Sequence, residues 1–379
     1  MTLDQLIEHY RKLLHLPDPT AVLAALATAA ANRLPGDPVW TLLVGPPSSG
    51  KTEIIDSLRL LPGTVSVSTV TKASLLSGRA GGAGGLLLTH FGDGTGLLLV
   101  KDLTTILSEA AGARTEVLAT LREVFDGHVA RAVGTRDLPL EWAGKIGFLA
   151  AVTEEIEQHR AVIGLMGERF VYVPMPNSPD ARAAIAEQAA RSGGKQPEMR
   201  DALAEAVRDF FAARPTDHVP LISEPDLAWL CAAADLASRA RSPVLRESRN
   251  REIELVPDPE LPARLVGEFT QLWRGLALIG ATEDQAREVI HAALNGGIPK
   301  QRRMALAVLL DDEGGVRTVQ VAVRTRTPES TIRRSLEDLA ALGVVDSDQG
   351  DREAWRADYW SPTEATRTLW LQIKGSPEH

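Results

Sequence analysis

Residues Gly45-Pro46-Pro47-Ser48-Ser49-Gly50-Lys51-Thr52 place two glycines, two small hydroxyls and a Lys-Thr pair between the apolar run TLLV (41–44) and the helix-like segment EIIDSLRLL. Glycines in such a loop let backbone N–H groups surround phosphate oxygens, and a following helix adds partial positive charge at its start. A strand before the loop and a helix after it are the context this chemistry requires, and a chance Gly/Pro/Ser turn lacks both. Lys51 is expected to reach the β- and γ-phosphates and the Thr52 hydroxyl to ligate Mg²⁺, which makes ATP with Mg²⁺ the expected ligand.

A second acid should stand at the end of another buried strand, to complete the metal shell or orient water. GLLLVKDLTTIL, from Gly96, supplies Asp102, preceded by Lys101 where a second acid is usual. Either Lys101 replaces the metal-shell acid and Asp102 activates water, or Asp102 serves the metal and the base lies elsewhere. The plainer alternative is an Asp that caps the turn after the strand.

These residues need a scaffold. Five short apolar runs, TLLV (41–44), TVSVSTV (64–70), LLLV (97–100), KIGFLAAV (145–152) and FVYV (170–173), alternate with helix-like segments and predict a parallel α/β sheet. Two helices separated by Pro17-Asp18-Pro19 precede it, the first amphipathic through Leu3, Leu6, Ile7, Tyr10, Leu13 and Leu14. Residues 80–96 are crowded with glycine and read as loops. Helical patterns rich in Ala, Leu and Arg follow to about Ala293, interrupted by a proline-punctuated connector, Pro243 to Pro262. The expected division is 1–38 N-terminal helices, 39–176 nucleotide-binding α/β domain, 177–298 helical lid and 299–379 winged-helix domain.

With those motifs in place the chain resembles AAA+ P-loop ATPases, closest to the branch with a hairpin before sensor 1, which includes the minichromosome maintenance helicases and phage or mobile-element helicases. GPPSSGKT is similar to Walker A and LLLVKD to Walker B. DGHVARAVGT (126–135), followed by LPLEWAGKIGFLAAVT, resembles a hairpin leading into the sensor 1 strand, with Thr153 at the sensor position. MGERFVYVPM (166–175) resembles the arginine-finger segment, which assigns that role to Arg169; PARL puts Arg264 at sensor 2. The resemblance spans about 40–290 and implies a ring homo-oligomer, expected as a hexamer, because an arginine from a neighbouring subunit completes the γ-phosphate site. It also implies a hairpin, carrying His128 and Arg131, that touches DNA. Structural alternatives are an Arg169 pair with Glu168 or Glu155, an Arg264 pair with Glu260 or Glu268, and a strand-ending Thr153.

The chain has 379 residues and a net charge of −9, which argues against coating nucleic acid over the whole surface. Between Arg317 and Arg334, however, five arginines face one acid, Glu329. TVQVAVRTRTPESTIRRSLEDLAALGVV resembles a helix-turn-helix inside a winged helix; Ser330, Thr331, Arg333 and Arg334, with Arg324 and Arg326, are the expected DNA contacts. The expected wing, DSDQGDRE, is acidic. A single cysteine, Cys231, excludes a disulfide framework or Cys-based zinc site, His90, His128 and His159 lack metal spacing, and the amphipathic start lacks a signal-peptide pattern. Cytoplasmic residence without membrane contact is expected. The leading functional expectation is an ATP hydrolase that moves along or remodels DNA, as a replication initiator-helicase or helicase loader. An ATP-regulated winged-helix regulator and a protein remodeller are the alternatives.

Overall fold

The computed structural model describes residues 1–77, 84–92, 94–132, 139–165, 167–176, 181–191, 193–214, 216, 218–247, 249, 251–348 and 359–375. The chain packs as two units. The first comprises Met1–Ile156, Arg169–Leu221 and Thr270–Ala293, the second Glu157–Glu168, Ile222–Phe269 and Leu294–His379.

The first unit is built on strands β1 (Trp40–Val44), β2 (Thr64–Val67), β3 (Thr95–Val100), β4 (His128–Arg131), β5 (Leu140–Ala143), β6 (Lys145–Val152) and β7 (Val171–Pro174). Five of them form one sheet in the order β2-β3-β6-β1-β7, every neighbouring pair parallel. All five runs read as buried strands therefore form; β2 ends at Val67, and residues 68–70 leave the sheet. Continuous apolar runs suit strands covered on both faces. Trp40 anchors the interior, stacked on Phe148 at 4.9 Å between centroids, its indole N–H donating to the Ile146 carbonyl at 2.7 Å. Strands β4 and β5 pair antiparallel as a hairpin directly before β6, as expected, although its tip, 133–138, lies outside the described residues.

The helix Leu3–Leu13 buries Leu3, Leu6, Ile7, Tyr10 and Leu13, and a carboxylate oxygen of Asp18 accepts the Thr20 N–H at the start of the wholly buried helix Thr20–Ala31. The N-terminal helices belong to the same unit as the sheet, and the helical stretch 177–298 is divided between the two units, unlike the four consecutive domains expected. Packing explains the difference, because apolar faces find partners remote in sequence. Arg33 donates to the carbonyls of Phe211 and Arg214, and a Cβ on Gly275 would lie 2.2 Å from the Ala27 carbonyl oxygen.

In the second unit the connector folds as a hairpin of β8 (Leu245–Arg246) and β9 (Ile253–Leu255). Helices Lys300–Leu310, Thr318–Thr325 and Glu329–Ala341 follow one another, and β10 (Val316–Arg317), β11 (Val345–Asp348) and β12 (Tyr359–Pro362) make an antiparallel sheet in the order β10-β12-β11. Trp360 Nε1 donates to Thr318 Oγ1 at 2.8 Å, tying sheet to helix. The third strand, β10, and the last helix, Glu364–Lys374, are additions to the expected elements; most of the expected wing, 349–353, lies outside the described residues. Among the described residues no helix is long and apolar enough to cross a membrane.

Candidate functional site

In a parallel α/β sheet the carboxyl ends of the strands form the crevice where ligands bind. Gly45 follows β1 there, its N–H donating to the Val152 carbonyl on β6, while Met175 N–H after β7 donates to the Val44 carbonyl at 2.7 Å. Any side chain at position 45 would meet Met175, since a Cβ would sit 2.7 Å from the Met175 Cβ. Ser48 (φ 63°) and Gly50 (φ 85°) take left-handed backbone, which curls the loop back over the helix start. Lys51, only 8% exposed, points into this curl and donates to the carbonyls of Gly45 (2.7 Å) and Pro46 (2.6 Å) and to Ser49 Oγ (3.2 Å). Burial lowers its pKa and the charge of Asp102 opposes that shift. Pro46 is half-buried, Pro47 is exposed, and Thr52 is exposed on the first turn of the helix. That helix, Lys51–Asp56, has 6 residues and passes into turns closed by Leu58 N–H to Ile55 O and Arg59 N–H to Asp56 O, shorter than the expected run to Leu61.

Asp102 follows β3, and one of its oxygens accepts the Thr104 N–H at 2.8 Å. The Thr104 hydroxyl in turn accepts the Thr153 N–H at 3.2 Å and lies 3.5 Å from Thr153 Oγ1. The acid after β3 and the threonine after β6 are thus joined through Thr104, a residue the motif reading passed over. In accepting the Thr104 N–H, Asp102 does what a capping acid does. Lys101 leaves this group: its ammonium pairs with Asp56 at 3.1 Å, on the loop's own helix. Among the described residues no group of three or more His, Cys, Asp or Glu is arranged to hold a metal ion.

Several residues outside the motif hold the loop in place. Leu14 stands against Gly50, where a Cβ would come within 3.2 Å of the Leu14 side chain, and Tyr10 Oη shares a 2.6 Å hydrogen bond with Ser57 Oγ. Glu53 receives two bonds from Arg200, at 2.6 and 2.5 Å, and Arg59 pairs with Asp56 and Asp201. The first helix was legible as amphipathic; its bearing on the loop was not, because nothing local to residues 10–14 refers to residue 50.

Arg169 is 11% exposed and held by Asp126, with Nε to Oδ1 at 3.2 Å and Nη2 to both oxygens at 3.1 Å, its guanidinium 5.6 Å from the Phe125 ring centroid. Neither acid anticipated beside it is this partner; the turn after the helix Ala111–Phe125 brings Asp126 there instead. His128 is exposed on β4, and Arg131 donates to the Leu76 carbonyl at 2.7 Å. Arg264 lies in the second unit, pairing with Glu260 at 3.2 Å and donating to the Glu168 carbonyl. Beside it Glu268 is 1% exposed with both carboxylate oxygens unpartnered among the described residues. Burial, partly offset by Arg241, pushes its pKa up to about 8.

The predicted DNA-contacting residues of the second unit share one region. Ser330, Arg324, Arg326 and Arg334 are exposed, Thr331 and Arg333 half-exposed. Arg324 pairs with Asp312 at 3.3 Å and Arg333 with Glu329 at 3.5 Å. Arg326 (φ 52°) closes the helix Thr318–Thr325 in left-handed backbone and starts the turn into Glu329–Ala341. Ser330, Arg333 and Arg334 line an open groove of about 710 Å³ whose other wall is the β8–β9 hairpin.

The first unit is thus a mixed α/β structure with a five-stranded parallel sheet flanked by helices, and the loop GPPSSGKT stands at the carboxyl end of β1. Neither a known family model nor a curated protein matches the chain.

Proposed function

We propose that this chain is an oligomeric AAA+ ATPase that binds DNA through a C-terminal winged helix and translocates on or remodels it, as a replication initiator-helicase or helicase loader does. The observation that carries the reading is the gathering of Lys51 and Asp102 at one edge of the sheet, with Asp102 bonded through Thr104 to Thr153. Lys51 already donates to neutral carbonyls; phosphate oxygens are stronger acceptors for an ammonium and would draw it from them. The left-handed turns at Ser48 and Gly50 shape the loop backbone around an anion. Thr52 and Asp102 would hold Mg²⁺, which would supply charge neutralisation at the phosphates. In the alternative assignment Asp102 serves the attacking water instead of the metal, with Thr104 and Thr153 fixing its turn.

Nucleotide retention and turnover, measured with and without single-stranded DNA, test the reading. Lys51→Ala should abolish retention, and DNA should stimulate hydrolysis by the native chain. A native chain that does not retain ATP overturns the reading.

A second reading, an ATP-regulated DNA-binding switch without translocation, is favoured by two ion pairs. Lys101 is engaged by Asp56, and Arg169 by Asp126 of the same chain, an arrangement suited to slow turnover. Specific duplex binding with no stimulated hydrolysis selects this reading.

A further inference from the structure

We infer that the β8–β9 hairpin is the second wall of the nucleic-acid site, with Arg251 a phosphate-contacting residue and Arg246 a positioning residue that fixes the hairpin to the reading helix; this rests on the proposal that the second unit binds DNA. Four arginines, Arg246, Arg251, Arg333 and Arg334, line the groove together with Glu252, Glu329, Glu337 and Ser330. Arg246 is only 14% exposed and is spent on structure: it pairs with Glu337 (3.0 Å) and Asp338 (2.8 Å) and donates to the carbonyls of Arg334 and Arg251. One side chain therefore bonds both to the middle of the helix Glu329–Ala341 and to the hairpin turn, and it neutralises the Glu337 carboxylate on the groove wall.

Glu329 is likewise offset by Arg333. Arg251 is exposed and takes left-handed backbone (φ 64°), held by its N–H to the Glu247 carbonyl at 3.0 Å. Among the described residues neither Arg251 nor Arg334 has an ion-pair partner, so both guanidinium groups remain available across the groove from one another. Two unengaged arginines on facing walls, with Ser330 at the helix start, suit one strand of a duplex backbone whose base edges meet the helix.

The test is duplex binding by the full chain as a function of salt, comparing native protein with Arg251→Ala, Arg246→Ala and the double variant Arg333→Ala/Arg334→Ala. Loss of one phosphate contact should lower Arg251→Ala affinity several-fold for every sequence and reduce the salt slope by about 1. Arg246→Ala should weaken binding through the hairpin's position, with Arg246→Lys restoring part of it and circular dichroism unchanged. If Arg251→Ala binds normally while Arg333→Ala/Arg334→Ala does not, the hairpin is no part of the site. Tighter binding by either hairpin variant would mean that the hairpin shields the helix, which also overturns the inference. Absence of binding by native protein sinks the DNA reading itself.

Discussion

Removing the acid after β3 without changing its shape separates the roles open to Asp102. Asp102→Asn is expected to retain ATP but lose hydrolysis at saturating Mg²⁺; recovery as Mg²⁺ is raised would instead mark the residue as a metal ligand. Thr104→Val deletes the hydroxyl that accepts the Thr153 N–H while keeping the backbone N–H bonded to Asp102, and turnover should fall roughly tenfold with little change in nucleotide affinity, the size expected for a lost outer hydrogen-bonding partner. Glu268 gives a prediction of different kind. Its pKa is about 8 in the folded chain against an ordinary 4.5, so between those values the folded state holds a proton that the unfolded state has released. Stability should therefore fall as pH rises from 4.5 to 8, by about 1 kcal/mol per pH unit, and Glu268→Gln should flatten the profile and stabilise the protein at pH 8. Denaturant midpoints across that range give the answer, and an unaltered slope in the variant would refute it. The loop 45–52 could be placed between a strand and a helix from sequence because its signal is local. Thr104, Asp126 as the partner of Arg169, and the isolation of Glu268 depend on contacts across tens of residues, for which no spacing rule exists.

The same contrast holds for secondary structure. Strands β1, β3, β6 and β7 announced themselves as apolar runs because they are largely buried, whereas β2, at the sheet edge, is only half-buried with Ser66 exposed; the helices Lys300–Leu310, Thr318–Thr325 and Glu329–Ala341 followed from periodicity and turn residues, and Glu364–Lys374 did not. The β8–β9 hairpin was harder: Arg246 and Ile253 lie in a charged stretch without alternation, and the hairpin is held by Arg246 reaching Asp338 rather than by an apolar face. Strand β10 is two residues long, below what any periodicity can register. Among the helices, Leu3–Leu13 should matter beyond stability. Leu14→Ala removes the side chain packed on Gly50 and is expected to weaken ATP binding several-fold, whereas Leu6→Ala, at a wholly buried position, should cost roughly 2–5 kcal/mol of stability while the surviving folded protein binds normally. Titration calorimetry alongside thermal melts distinguishes the two effects; equal losses of affinity would mean the helix acts on the loop only through overall stability.

At the scale of the whole molecule, the ring expectation turns on whether Arg169 can leave Asp126. If it serves a neighbour's γ-phosphate, Asp126→Ala should release it and raise turnover at high protein concentration, while Arg169→Ala abolishes turnover and spares nucleotide affinity. If the pair is architectural, both variants should lower the melting temperature and neither should alter turnover per folded chain; concentration-dependent kinetics decide.

The interleaving of the two units reaches into inheritance. Each is assembled from three stretches of polypeptide, so the chain passes between them five times and no single cut yields either one whole. A recombination event near residue 294 that exchanged the last 86 residues would strand Glu224–Arg241, whose Trp229 indole donates to the Ile373 carbonyl near the far end of the chain. The arrangement resists shuffling: the groove helix and the hairpin that braces it must be inherited together with the sheet, and, if the groove binds DNA as proposed, new specificity is expected to arise by point substitution along it rather than by acquisition of a foreign module.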